Sequence, residues 1–323
     1  MALRAVPGPL PVRDRDAVRG IAERAAATDG VAPLDEAALL AIADEAPSPG
    51  TLTHLLMVGA ADEPAGLVGY AYVDRGGAVP TAQLVVDPGS RRRGLGRALL
   101  EAAADAARPD GTLEVWAHGD LPAARALAAA AGFTAVDELW RMSLDLRGRS
   151  ADEPTWPEGL VVRPYRPGHD EEAWLAVNAR AFADHPEQGR WTAHDLAARE
   201  REPWFDPAGF LLAGRADGSI AGFVWTKVHP AGDLADEPVG EVYVLGVDPS
   251  AQGAGLGRAL TAAGLAHLVG RGLGTAVLWV AGDNAPAIRT YARAGFARAA
   301  LDVRYARRAA GDATPPDGAT MGA

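Results

Sequence analysis

A chain of 323 residues with 48% hydrophobic and 23% charged residues exceeds what one hydrophobic core usually fills, so two domains of about 150 residues are expected. Its formal charge of -11 disfavours a long nucleic-acid track or an anionic membrane surface, and the absence of cysteine excludes disulfides, thiolate nucleophiles and thiolate-bearing metal sites. Met1 to Asp14 lacks a basic stretch followed by an apolar core, and no apolar run reaches membrane-spanning length, so a cytoplasmic protein is expected.

In chain order, Leu67 to Tyr72 and Ala82 to Val86 predict strands, and Gly96 to Ala107 predicts a helix. Leu113 to Ala117 follows as a short strand, then an alanine-rich helix from Pro122 to Ala131 that Gly132 ends. Arg147-Gly148-Arg149-Ser150 and Glu153-Pro154-Thr155-Trp156-Pro157 break both periodicities, which marks 147–159 as a linker between an N-terminal domain, 1–146, and a C-terminal domain, 160–308. The order then recurs, with strands at Phe223 to Lys227, Glu241 to Val247 and Ala276 to Val280 and helices at Leu256 to Val269 and Pro286 to Ala294. Residues 309–323, with Gly311, Pro315, Pro316 and Gly318, read as a disordered tail.

The recurrence is a duplication. Leu84-Val85-Val86-Asp87-Pro88 leads into Arg91-Arg92-Arg93-Gly94-Leu95-Gly96-Arg97, and Leu245-Gly246-Val247-Asp248-Pro249 leads into Gln252-Gly253-Ala254-Gly255-Leu256-Gly257-Arg258. Asp87 and Asp248 stand 161 positions apart, and Gly132 and Gly295 stand 163 apart, so one offset carries two landmarks. Each half reads as strand, helices, antiparallel strands, a strand ending in the glycine turn, helix, strand, helix and strand. This is an α/β fold with a mixed sheet and helices on its faces, distinct from the consecutive parallel units of a dinucleotide fold.

A strand running through a glycine-rich turn into a helix aims several backbone N–H groups at one anion. Gly94 and Gly96, or Gly255 and Gly257, let the chain approach closely, and the helix end adds its dipole. Arg91 to Arg93 add positive charge in the first copy, and Gln252 and Arg258 add polar reach in the second. The turn suits a pyrophosphate, yet neither copy ends in the Gly-Lys-Ser/Thr of a nucleotide-hydrolysing phosphate loop.

These turns resemble the Arg/Gln-x-x-Gly-x-Gly/Ala signature of the GNAT superfamily of acetyltransferases, in which the turn cradles the pyrophosphate of acetyl-CoA. The resemblance spans most of both halves. It implies that Leu84, Val85 and Val86 in the first half, and Leu245, Gly246 and Val247 in the second, line the thioester arm. The cofactor set it implies continues through Arg92 to Arg97 and Gln252 to Arg258, and through Asn284, Ala285, Pro286, Ala287, Ile288 and Arg289.

The halves differ where chemistry needs a proton donor. Asn284 and Tyr291 precede Ala294-Gly295-Phe296 and resemble the second GNAT signature, with the tyrosine directed at the cofactor sulfur; the matching first-half positions are Leu121 and Ala128. A phenol can protonate a departing thiolate and a methyl group cannot. A core tyrosine and a helix-capping asparagine are the alternative readings of the same two residues. Glu241, near the start of the strand toward the acetyl-binding backbone, is the candidate base, or else an exposed strand-end carboxylate.

The runs Arg180-Ala181-Phe182 to His185-Pro186-Glu187-Gln188-Gly189, Trp225-Thr226-Lys227-Val228-His229 and Gly240-Glu241 to Asp248-Pro249 are similar to the mycothiol synthase family of tandem GNAT enzymes. That family acetylates the cysteinyl α-amine of 1D-myo-inositol 2-(L-cysteinylamino)-2-deoxy-α-D-glucopyranoside. The resemblance implies Glu241 as general base, Tyr291 as general acid, and Glu36, Glu187, Lys227, Glu241 and Trp279 as acceptor contacts. Trp279 departs from the tyrosine expected there, which removes a hydroxyl contact. Acetyl-CoA as cosubstrate, no metal, no nucleic acid or membrane partner, and a monomer are expected. Acetylation of another small amine or a protein N-terminus, and noncatalytic acetyl-CoA sensing, are the competing functions.

Overall fold

Alternation of side chains across extended segments sends residues of one strand into two cores. Along Leu52–Val58, Leu55 and Met57 enter one apolar cluster and Leu56 the other. The computed structural model describes residues 2–43, 51–59, 66–107, 112–151, 154–183 and 188–307; Glu187 and the 309–323 tail lie outside the described residues.

The chain forms two compact units, one drawn from Met1–Glu138 and Asp302–Ala323 and the other from Leu139–Leu301. The first contains β1 (Ala2–Pro7), α1 (Val12–Asp29), α2 (Glu36–Ala43), β2 (Leu52–Val58), β3 (Leu67–Asp74), β4 (Thr81–Val86), α3 (Leu95–Ala107), β5 (Leu113–Ala117) and α4 (Pro122–Ala130). The chain leaves it along β6 (Thr134–Asp145). The second contains β7 (Leu160–Pro164), α5 (Glu171–Ala181), α6 (Ala193–Glu200), β8 (Phe210–Arg215), β9 (Ile220–His229), β10 (Val239–Val247), α7 (Leu256–Gly270), β11 (Thr275–Ala281) and α8 (Ala285–Ala294), and the chain leaves it along β12 (Ala297–Arg307).

In the first unit the strand order is β1-β2-β3-β4-β5, completed by the end of β12, where Val303 to Arg307 pair antiparallel with Ala117 to Leu113. In the second it is β7-β8-β9-β10-β11, completed by the end of β6, where Leu139 to Asp145 pair antiparallel with Ala281 to Thr275. The mixed sheet read from the sequence is present in both. The expectation that each half keeps its own last strand is not met: each repeat hands that strand to the other unit. The two recipient edges, β5 and β11, are equivalent strands of one duplicated fold, and each takes an antiparallel partner from the other repeat.

Each sheet is covered on both faces. In the first unit α3 supplies Leu95, Leu99, Leu100 and Ala103 to one cluster, and α1 supplies Val18, Ile21 and Ala25 to the other. In the second unit α7 packs Leu256, Leu260 and Ala263 on one face, while the opposite face carries an aromatic core in which Trp225 stacks on Phe210 at 4.4 Å. Trp156, within the expected linker, packs against the α7 cluster.

Candidate active site

The parallel strands of each unit pair only briefly. β10 and β11 are joined at Gly240↔Ala276 and Glu241↔Val277, although β10 continues to Val247 and β11 to Ala281. β4 and β5 are joined at Thr81↔Glu114 and Ala82↔Val115 and likewise part. Each fork exposes strand edges whose N–H and C=O groups are open to an extended ligand. In the second unit a bulge between Val242 and Val244 adds a residue to β10 against β9, and the first unit's β3-β4 pairing has no such shift.

A glycine turn follows each fork. Gly94 and Gly255 have φ of 80° and 84°, in the left-handed region, and no heavy atom lies within 4 Å of a Cβ built on either. The first helical hydrogen bonds run from Ala98 N to Gly94 O and from Ala259 N to Gly255 O. The N–H groups of Leu95, Gly96 and Arg97, and of Leu256, Gly257 and Arg258, therefore have no acceptor within their helices, which makes each helix start suited to linked phosphates. Arg91 and Gln252 cap the preceding strand through bonds to Val86 O (3.2 Å) and Val247 O (3.4 Å). The positive charge expected from Arg91 is already engaged: both its terminal nitrogens donate to Asp29 at 2.7 Å. Arg92 and Arg93 are exposed.

Both turns are anchored by an aspartate. Arg24 donates to Asp87 at 2.7 Å, and Arg180 donates to Asp248 at 2.8 Å. Hydrogen bonds from Ser250, with the Arg180 guanidinium, hold the Asp248 carboxyl down at about 2.

At the mouth of the second fork stands Glu241. It is the third residue of β10 and only 7% exposed, which overturns the exposed strand-end reading. Its carboxylate Oε2 accepts from His229 Nε2 at 2.6 Å. Lys227 lies directly across β9 from Glu241, with its ammonium over the rings of Trp204 (4.6 Å) and Tyr243 (5.4 Å). The half-buried Trp279 of β11 sits 6.3 Å from the His229 ring. Lys227, Glu241 and Trp279 thus converge on one region of the second unit. Glu36 is the half-buried first residue of α2 in the first unit.

On α8 the Asn284 side chain accepts from Ala287 N at 3.1 Å and caps the helix, so the capping reading holds. Ala285, Pro286, Ala287, Ile288 and Arg289 form the first turns behind it. Tyr291 is half-buried, meets Phe296 edge-on at 6.1 Å, and belongs to the same apolar cluster as Leu245 and Val247. Burial pushes its hydroxyl up to about 12, so it keeps its proton at neutral pH.

The first unit presents different chemistry at its fork. Counting register from the strand ends, Thr81 and Asp74 take the places of Glu241 and Lys227. Ala128 is buried in the core, and Leu121 precedes α4 with no side-chain cap. Near this fork, His118 contacts Asp302 (3.1 Å) and Gln83 (3.3 Å), and Gln83 accepts from Asp35 N at 2.8 Å.

His229 was not singled out by sequence reasoning. It sits diagonal to Glu241, because His229 pairs with Val239, two residues before the glutamate. The signal that finds it is strand register across the 230–238 connection, which composition does not encode.

Residues 23–133 and 173–296 match the acetyltransferase (GNAT) family model. A mycothiol acetyltransferase of Cellulomonas flavigena is 54% identical, over 96% of this chain and 90% of that protein. One of Thermobispora bispora is 52% identical, over 94% of this chain and 98% of that protein. Among solved structures, a tandem GNAT protein from the clavulanic acid biosynthesis pathway aligns with a TM-score of 0.69 at 22% identity, over 95% of this chain and 99% of that one. A GCN5-related N-acetyltransferase of Sphaerobacter thermophilus aligns with a TM-score of 0.64 at 23% identity, over 94% and 95%; at these identities both show the fold alone. Two forked sheets, two glycine turns and relatives this close over nearly the whole chain establish that it belongs to the GNAT acetyltransferase family, as an acetyl-transfer enzyme of the tandem group that includes the mycothiol acetyltransferases.

Proposed function

We propose that the chain transfers acetyl from acetyl-CoA to the cysteinyl α-amine of 1D-myo-inositol 2-(L-cysteinylamino)-2-deoxy-α-D-glucopyranoside, giving mycothiol and CoA, with turnover in the second unit. The relatives' name supports the acceptor. The observation that carries the reading is the second fork, where buried Glu241 occupies the last paired position and Leu245 to Val247 lead from it to the glycine turn.

In this reading both turns take the linked phosphates of acetyl-CoA, through Arg92 to Arg97 in the first unit and Gln252 to Arg258 in the second. Leu84 to Val86 and Leu245 to Val247 line the thioester arm. Glu241 removes a proton from the acceptor ammonium, and the freed amine attacks the thioester carbonyl. As the C–S bond breaks, the departing thiolate takes the Tyr291 proton, and the extra proton on the adduct's nitrogen leaves through water and restores the phenol. Lys227 donates to a sugar or carbonyl oxygen, Trp279 covers an apolar ring face, and Glu187 accepts from hydroxyl or amine groups. The sequence repeats divide at 147–159, the protein acts as a monomer, and no metal takes part.

The test is acetyl-CoA turnover with the cysteinyl pseudo-disaccharide, its desthiol analogue and peptide amines, read as CoA release and as acetylated product. The pseudo-disaccharide is expected to exceed the peptides in kcat/KM by about a hundredfold. A peptide preferred over it overturns the acceptor.

A further inference from the structure

Among the described residues, the Glu241 carboxylate has one hydrogen-bond partner, His229, and the bond goes to one oxygen only. The two side chains are 12% and 9% exposed, so the pair is nearly closed to water. A carboxylate that is to take a proton is ionised and accepts at both oxygens, so in the base-competent pair the hydrogen between His229 and Glu241 is carried by Nε2, whether the ring is neutral or charged. Lys227, the cross-strand neighbour, lays its ammonium on the Trp204 ring, and the nearby β11 residues Val277 and Trp279 carry no titratable group. Oε1 has no hydrogen-bond partner among the described residues.

We propose that His229 is the positioning residue for Glu241: its Nε2–H fixes Oε2, and this leaves Oε1 as the atom that takes the acceptor's proton. The inference deepens the proposed role of Glu241 and rests on it. Unpinned, a carboxylate swings about its last torsion and shares its basicity between two oxygens; pinned at Oε2, it presents one oxygen to the fork mouth. The tilted Trp279 ring lies beside the imidazole, 6.3 Å between ring centres. At the corresponding places the first unit carries Thr81 and Gly76, which cannot form such a pair.

The experiment uses the full chain. With the cysteinyl pseudo-disaccharide and acetyl-CoA, His229→Leu is expected to lower kcat by about 30-fold with the acetyl-CoA KM within about twofold, and His229→Gln, which keeps an N–H donor, to recover to within about fivefold of the parent. In a Glu241→Gln background, His229→Leu is expected to add less than about twofold, because the group it positions is gone. Independently of turnover, 15N-histidine NMR at neutral pH is expected to show the His229 Nε2 bearing its hydrogen in slow exchange, and Glu241→Ala to abolish that slow exchange. Full turnover in His229→Leu, no recovery in His229→Gln, or an Nδ1–H imidazole overturns the proposal. Unchanged turnover in Glu241→Gln, with the NMR signature intact, sinks the base assignment while leaving the hydrogen bond standing.

Discussion

The two units are one fold with the same fork and glycine turn, yet they diverge at every position where proton transfer is proposed. Where the second unit carries Glu241, Lys227, Asn284 and Tyr291, the first carries Thr81, Asp74, Leu121 and Ala128. What both retain is backbone geometry: the brief parallel pairing, the left-handed glycine and the free helix start. Binding by backbone survives side-chain drift, because few residue types are needed to keep it. Acid-base chemistry does not, because single substitutions remove it. The turns also differ in backbone cost, since Arg92 takes φ of 63° where Gly253 takes 81° in the second copy, a conformation costing a non-glycine residue about 1 kcal/mol.

The sharpest way to break the contrast is at the proposed acid and base. Tyr291→Phe is expected to lower kcat by about a hundredfold with little change in acetyl-CoA affinity, and Glu241→Gln by at least as much, most strongly at low pH where the acceptor amine is protonated. Ala128→Ser and Thr81→Val, the matching changes in the first unit, are expected to leave turnover within about twofold. Steady-state kinetics against pH measures all four; equal losses in both units would end the claim of one working site.

Next in size is the pair of turns. Gly255→Val forces a β-branched residue to positive φ, which strains the turn although the space around a Cβ there is open, so acetyl-CoA affinity of the second unit is expected to fall by at least about tenfold, and turnover with it. Gly94→Val is expected to remove first-unit binding and spare turnover. Calorimetric stoichiometry separates the outcomes, with two sites in the parent and one in either variant.

Much of this was legible beforehand, and what was not has a physical reason. The elements around Gly94 and Gly255 followed from local pattern, because a strand, a glycine turn and a helix are short-range features. The exchange of 139–145 and 302–307 did not, because two equivalent sheet edges compete for two similar strands and local sequence cannot choose between them. Tyr291 and Asn284 stood out through their contrast with Ala128 and Leu121. His229 did not, because its meaning lies in a diagonal contact with Glu241 that only register reveals. The burial of Glu241 was likewise missed, since a carboxylate near a strand start reads as exposed until the strand is extended to Val239.

Acid should separate the units without touching chemistry. In the first, His54 is fully buried against the Tyr70 hydroxyl at 2.7 Å, and desolvation lowers it to about 4. The unfolded chain therefore binds a proton that the folded unit refuses, and stability is lost as pH falls from about 6.5 toward 4, by on the order of 3 kcal/mol. His118 is moved upward against the desolvation that burial imposes, by its Asp302 partner, so its contribution is complete below 6.5 and lost above that, in a different window. In the second unit, burial lowers His267 with Asp206 opposing, a smaller shift than that of His54 and so a smaller loss below 6.5, while the Arg163 hydrogen bonds hold Asp170 down and Ser250 with Arg180 holds Asp248 at about 2, so the carboxylates' larger loss comes as pH falls below about 4. Of the eight tryptophans, Trp116 alone lies in the first unit. Tryptophan fluorescence is therefore expected to hold near pH 5 while amide exchange in β2 and β3 accelerates; loss of both signals together would remove the distinction.

The smallest effect expected concerns the helix that carries Tyr291. Asn284 supplies the one side-chain cap of α8, whereas Leu121 leaves α4 uncapped with Pro122 at its first position. Asn284→Ala removes the bond to Ala287 N and is expected to cost about 1 kcal/mol, lowering the melting temperature of the second unit by about 2–4 °C. Leu121→Asn offers the same bond to α4 but surrenders half-buried apolar surface, so its gain should be smaller than the loss at Asn284. If Asn284→Ala instead lowers acetyl-CoA affinity with no change in melting, the asparagine contacts cofactor more than it caps, and the resemblance-based role would displace the capping one. The two outcomes are separable because a cap acts on the helix whether or not ligand is present, while a ligand contact is silent in its absence.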